Sequence, residues 1–179
     1  VVNLTLTKEI VLELNNSSVF TKVYDGTMAV NQSLAIADYT LDGVVDCDDV
    51  RVADLAVGVY SDKNAGDNKT VTFSGVTLTG KDAGNYSIQS STVIGSVGQI
   101  TKKAITCSLK DSITKFTKVY DGTMAVNQSL ASADCTLDGV VAGDLVSVAA
   151  GSGVYNDKNA GDNKTVTFSG VTLTGKDAG

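Results

Sequence analysis

Residues 20–84 of this chain recur almost intact, and that repetition limits the fold more than any other feature. Phe20–Ala35 and Phe116–Ala131 are the same sixteen residues, and Asp62–Gly84 is identical to Asp157–Gly179. Between these blocks the copies drift, and the second is one residue shorter. A period of about a hundred residues is too long for a solenoid repeat and suits a small domain. The chain therefore reads as a tandem array of one module, with a first module over 1–100 and a second over 101–179.

Short alternating stretches set the expected class. Ile10, Leu12 and Leu14 alternate with Val11 and Glu13, and the second copy repeats the pattern as Ile105, Cys107 and Leu109. Further strands are expected at Val19–Tyr24, Ser33–Leu41, Val50–Leu55, Gly58–Tyr60, Thr70–Phe73, Val76–Thr79, Tyr86–Gln89 and Thr92–Ile100. Ser61–Asn68 reads as a polar loop. Asp25-Gly26 and Asp42-Gly43 are turn signals, and Ser74-Gly75 interrupts the alternation as a bulge or sharp bend would. Eight or nine short strands with no helical periodicity point to an all-β chain of tandem immunoglobulin-like β-sandwich modules.

The composition excludes several functions. The chain has no histidine and three cysteines, so His-dependent triads and His-paired thiolates are ruled out. A formal net charge of -6 makes nucleic acid and anionic membranes poor partners. No apolar run reaches the length of a transmembrane helix. No catalytic constellation is present, and an enzyme is not expected. With Val1 first and no signal peptide, the sequence reads as a piece of a longer array.

Asp82-Ala83-Gly84-Asn85-Tyr86 matches the corner before strand F of immunoglobulin domains, where the Tyr hydroxyl bonds to backbone a few residues upstream. Lys22-Val23-Tyr24-Asp25-Gly26-Thr27 recurs as Lys118–Thr123. Leu41-Asp42-Gly43-Val44-Val45, Tyr60–Gly66 and Leu78–Tyr86 follow in order. These motifs together resemble the YDG-type repeats of bacterial surface proteins, found in hemagglutinin-like and filamentous adhesins. The resemblance covers nearly the whole of both modules. It implies a secreted, extracellular, non-enzymatic module at the bacterial surface, and it brings no catalytic residues. Tyr24, Asp25, Gly26 and Tyr86, with Tyr120, Asp121 and Gly122, are the expected structural residues.

Four sites call for a test. Asp42, Asp46, Asp48 and Asp49 crowd into eight residues. Calcium takes about six to eight oxygens, and clustered aspartates can supply them. The second copy keeps only Asp138 and Asp144, which favours a solvated turn and no cofactor. Lys22 and Lys118 alternate with aromatics; cross-linking to an asparagine such as Asn85 competes with a lysine that keeps its amine wet. Cys107 takes the inward place of Leu12, Cys135 that of Tyr39, and a Cys107–Cys135 disulfide competes with two small apolar side chains. Cys47 stands alone at a turn.

The leading functional expectation is a stalk or fibre segment whose partners are neighbouring modules, or other copies in a filament. A multivalent module that grips a host glycan or protein is the alternative, with Tyr24, Tyr39, Tyr60 and Tyr86 as the tyrosines to examine. Finally, the second copy stops at the equivalent of Gly84. The residues after Gly84 in the first copy would place four apolar side chains inward, roughly 6–12 kcal/mol of burial. The second module is expected to need those strands from further chain or from another molecule.

Overall fold

The computed structural model describes residues 6–54, 56–110, 116–149 and 151–179. The chain divides into two units, Val1–Lys103 and Ala104–Gly179. All regular structure among the described residues is β, apart from three single-turn 3-10 helices.

The first unit carries nine strands: β1 (Lys8–Leu14), β2 (Phe20–Val23), β3 (Tyr39–Asp42), β4 (Arg51–Val52), β5 (Val57–Tyr60), β6 (Gly66–Ser74), β7 (Leu78–Thr79), β8 (Tyr86–Ile88) and β9 (Thr92–Thr101). They form a three-stranded sheet β3-β1-β8, a four-stranded sheet β2-β9-β6-β5 and the pair β4-β7. β1 runs antiparallel to β3 and parallel to β8, and β9 runs parallel to β2 and antiparallel to β6. Alternation decides the faces. Phe20, Val71, Phe73, Val93, Val97 and Ile100 turn inward from the four-stranded sheet, and Leu12, Leu14, Leu41 and Ile88 pack against them from the other. The Phe20 and Phe73 rings meet edge to face at 4.9 Å.

The strands expected at Val50–Leu55, whose Leu55 lies outside the described residues, and at Val76–Thr79 shorten to β4 and β7, and two further stretches differ from the sequence reading. Within Ser33–Leu41 the chain makes a 3-10 turn at Ile36–Asp38 before β3 begins. The Asp38 carboxylate accepts the Ala35 N–H at 2.9 Å, and the Asp38 N–H donates to the Ala35 carbonyl at 2.9 Å. This local closure takes the backbone groups a strand would need. At the other stretch, expected to be a loop to Asn68, β6 already begins at Gly66, because β9 offers a ladder partner there across two register shifts.

The second unit carries β10 (Thr106–Leu109), β11 (Cys135–Asp138), β12 (Ser147–Ala149), β13 (Ser152–Tyr155), β14 (Val166–Ser169) and β15 (Thr172–Thr174), paired as β10-β11, β12-β15 and β13-β14. Its core is smaller: Leu130, Cys135 and Val148, with Phe116, Leu137, Phe168 and Val171 around them. The nine residues of β6 recur unchanged at 161–169, yet only four of them, β14, are strand. Phe116–Val119 repeats the sequence of β2 and forms no strand. Identical sequence takes two structures because β9, which lies between β2 and β6 in the first unit, has no counterpart among the described residues of the second.

Candidate functional site

The YDG motif is a closed polar corner. β2 carries Lys22 inward, and its side chain is only 4% exposed. Its amine donates to Asp25 Oδ1 at 2.7 Å, to the Thr27 carbonyl at 2.8 Å and to Thr27 Oγ1 at 2.9 Å. An ammonium has three protons, so all are used. The Asp25 Oδ1 also accepts the Thr27 N–H and hydroxyl, at 2.9 and 2.8 Å. Gly26, at φ 80, turns the chain tightly enough for this. The Lys22 hydrogen bond, with the Thr27 bonds, holds the Asp25 carboxyl well below the usual carboxylate range. The Lys22 amine also lies 5.5 Å over the Tyr60 ring, whose hydroxyl donates to the Phe20 carbonyl at 2.9 Å. Burial raises the Tyr60 phenol and keeps it a donor.

The second unit repeats the corner. Lys118 bonds Asp121 at 2.7 Å and Thr123, Gly122 has φ 80, and the Tyr155 hydroxyl donates to the Phe116 carbonyl. Tyr24 is half-buried, whereas Tyr120 is 59% exposed. The lysine was expected either to cross-link or to keep its amine wet. Its amine does neither: it is buried and spent on Asp25 and Thr27.

The aspartate stretch is also structural. Asp42 ends β3, and Asp46 lies exposed in a turn. Asp48 accepts the Tyr86 hydroxyl at 2.5 Å, and that hydroxyl accepts the Val45 N–H at 3.0 Å. The Asp48 bond is the largest influence on Tyr86 and raises its phenol. Asp49 accepts from Arg51, and its backbone exchanges bonds with Asp82: N–H to Asp82 Oδ2 at 2.9 Å, carbonyl from Asp82 N–H at 3.1 Å. No group of three or more metal-ligating residues forms among the described residues. The tyrosine corner is thus longer in sequence than expected. Tyr86 ties down a loop some forty residues upstream, not backbone a few residues away.

The thiols are free. Cys107 was expected inside but is exposed, because the described residues of the second unit lack the strands that stand at β8 and β9 in the first. Cys107 faces Leu137 and Leu109 faces Cys135, so the two cysteines are diagonal neighbours on one face of β10-β11. Burial, followed by the hydrogen bond with Cys107, pushes the Cys135 thiol up to about 11.

One compensating pair escaped the sequence reading. In the first unit the Tyr39 hydroxyl accepts the Val52 N–H at 2.8 Å. Cys135 stands in Tyr39's place and cannot reach that far. Ser132, at the position of Ile36, accepts the equivalent Val148 N–H at 2.7 Å. The signal was the joint change of Ile36 and Tyr39 to Ser132 and Cys135.

No described helix is long and apolar enough to cross a membrane. The corner, the tyrosine tie and the repeat define a β module whose marked residues hold its own backbone together. The family profile of the YDG domain matches residues 7–93 and again 101–179. The chain belongs to the YDG-domain family, with two copies in tandem. This corrects the adhesin reading of the motifs: the match is to the YDG domain as such, and nothing in it supports an attribution to bacterial adhesin repeats. No curated protein and no solved structure matches the chain.

Proposed function

We propose that this chain is a structural repeat segment, a spacer built from tandem immunoglobulin-like β-sandwiches. The observation that carries the reading is the use of the repeated motif residues. Lys22, Asp25, Thr27, Asp48 and Tyr86 all make side-chain hydrogen bonds within the unit. Among the described residues no buried side-chain nitrogen or oxygen lacks a partner. Copying such a module lengthens a chain without needing a site to be preserved.

The sandwich reading rests on the two larger sheets sharing one core in the first unit. Its mechanical logic follows from the strand directions. β2 and β9 are parallel, from Phe20 opposite Gly98 to Val23 opposite Thr101. Tension pulls the start of one strand and the end of the other in opposite directions. The ladder is then loaded in shear, all bonds together, which resists more than peeling them singly.

The alternative, a multivalent glycan or protein binder, finds less support. Tyr39, Tyr60 and Tyr86 are buried and bonded inward, so they offer no sugar platform. Single-molecule pulling distinguishes the readings. A spacer gives one discrete unfolding event for the first unit at each extension, and Gly98→Pro, which removes the N–H at a paired position of β9, lowers its force. A featureless extension overturns the proposal.

A further inference from the structure

Cys107 and Cys135 stand at neighbouring positions on one sheet face. β10 and β11 pair with Cys107 opposite Leu137 and Leu109 opposite Cys135. The same register joins β1 to β3 in the first unit, with Leu12 opposite Leu41 and Leu14 opposite Tyr39. The placement of the two cysteines therefore comes from a strand pair that both units share. The replacements are coordinated. Where the first unit has Leu12, Ile36 and Tyr39, the second has Cys107, Ser132 and Cys135. Ser132 restores the bond to the Val148 N–H that the Tyr39 hydroxyl makes to Val52 in the first unit. Serine thus answers for the lost phenol, and the paired thiols are left with no part in that exchange. The Cys135 side chain is buried and hydrogen-bonded with Cys107.

We propose that Cys107 and Cys135 are a reversible redox pair that closes a disulfide across β10-β11, with a small-molecule disulfide such as oxidised glutathione as the oxidant. Burial keeps Cys135 a thiol, so Cys107 attacks first. Cys107 gives its proton to solvent, and its thiolate displaces one glutathione thiolate to form a mixed disulfide. Cys135 then gives up its proton, attacks the Cys107 sulfur and expels the second glutathione thiolate as the Cys107–Cys135 bond forms. Each released thiolate takes up a proton, so the protein loses two hydrogens and the oxidant gains them. The diagonal offset makes the bond a labile one. Diagonal Cα atoms of an antiparallel pair stand about 7–8 Å apart, beyond the ~4.4–6.8 Å usual for a disulfide. The strands must slide to close it, and a bond strained in this way is easily reduced. Closure ties together the ends of the stretch 107–135, which contains the YDG corner at Lys118–Thr123, and keeps that stretch from extending. The first unit has Leu12 and Tyr39 at these places, so oxidation locks one repeat and leaves the other as it is. This role goes beyond the spacer reading and does not depend on it, since the bond forms whether or not the unit bears load.

The test equilibrates the intact folded chain with glutathione at a series of oxidised-to-reduced ratios, quenches it with acid and maps its thiols by mass spectrometry. A peptide pair joined through Cys107 and Cys135, two hydrogens lighter than the free thiols, should grow with the oxidised share and disappear when reduced glutathione is restored. Hydrogen exchange should slow at 107–109 and 135–138 on oxidation, with the first unit unchanged. Cys47→Ser should leave the cross-link intact. Cys135→Ser should accumulate glutathione on Cys107, whereas in Cys107→Ser the buried Cys135 should be modified about tenfold more slowly. The proposal is overturned if no 107–135 link forms at any ratio, if Cys47 joins either thiol as often as they join each other, or if the bond survives an excess of reduced glutathione.

Discussion

Phe73 and Phe168 occupy the same place in the same nine-residue sequence, so truncating each to alanine isolates what tertiary burial adds. Both rings meet a second phenylalanine at 4.9 Å, Phe20 or Phe116. Phe73 is fully buried, with β9 beside it, and Val93 faces it in the β6-β9 register. Phe168 is half-buried. A fully enclosed phenylalanine loses transfer energy and leaves a cavity, about 3–5 kcal/mol for Phe73→Ala. At the half-open site roughly half the transfer energy, about 1–1.5 kcal/mol, is at stake, and the cavity can collapse or fill with water. The expected gap is ~2 kcal/mol, near a thirtyfold difference in opening equilibrium. Intrinsic propensity cancels, because the neighbours along the chain are identical. The assay is residue-resolved hydrogen exchange, reading Val71 in one unit and Val166 in the other as local opening energies. Equal losses at the two sites would refute the reasoning, since burial by β9 would then contribute nothing measurable to β6.

Two further predictions concern the turns. Cys47 adopts φ 74 where the second unit has Gly143 at φ 91. The left-handed strain on a side chain costs about 1–2 kcal/mol and glycine's extra chain entropy about 0.5–1, so Cys47→Gly should raise stability by about 0.5–1 kcal/mol in a urea melt; a loss would sink the strain argument. The YDG corners should make stability acid-sensitive. Asp25 and Asp121 are held below their usual value of 3.8, chiefly by Lys22 and Lys118. A depressed carboxyl stabilises the fold above its unfolded value and loses that contribution as pH falls through the folded one. Tm should therefore drop as pH falls below about 4, and Lys22→Met with Lys118→Met should flatten that drop while keeping the apolar stem in place. An unchanged pH profile in the double variant would show that the lysines are not the cause.

What the sequence made legible was what depends on near neighbours. The period-two run at Ile10–Leu14 became β1 because alternation alone decides which side chains face the core. Asp25-Gly26 became a turn because glycine admits φ 80 and the aspartate can bond two residues on. Distant pairings were not legible. Nothing near Tyr86 announces that its hydroxyl reaches Val45 and Asp48, and nothing within Lys22–Thr27 shows that the amine is spent entirely inside that corner. Residues 161–169 make the limit concrete. Their sequence permits nine residues of strand, as β6 demonstrates, and four form in β14. An edge ladder needs a partner for each N–H and carbonyl, and local preference cannot supply one. Strand length at these two segments is therefore a property of the pair and not of the segment. It follows that weakening β9, as Gly98→Pro would by removing an N–H between β2 and β6, should shorten β6 toward the length of β14, with Gly66 and Lys69 losing protection in hydrogen exchange.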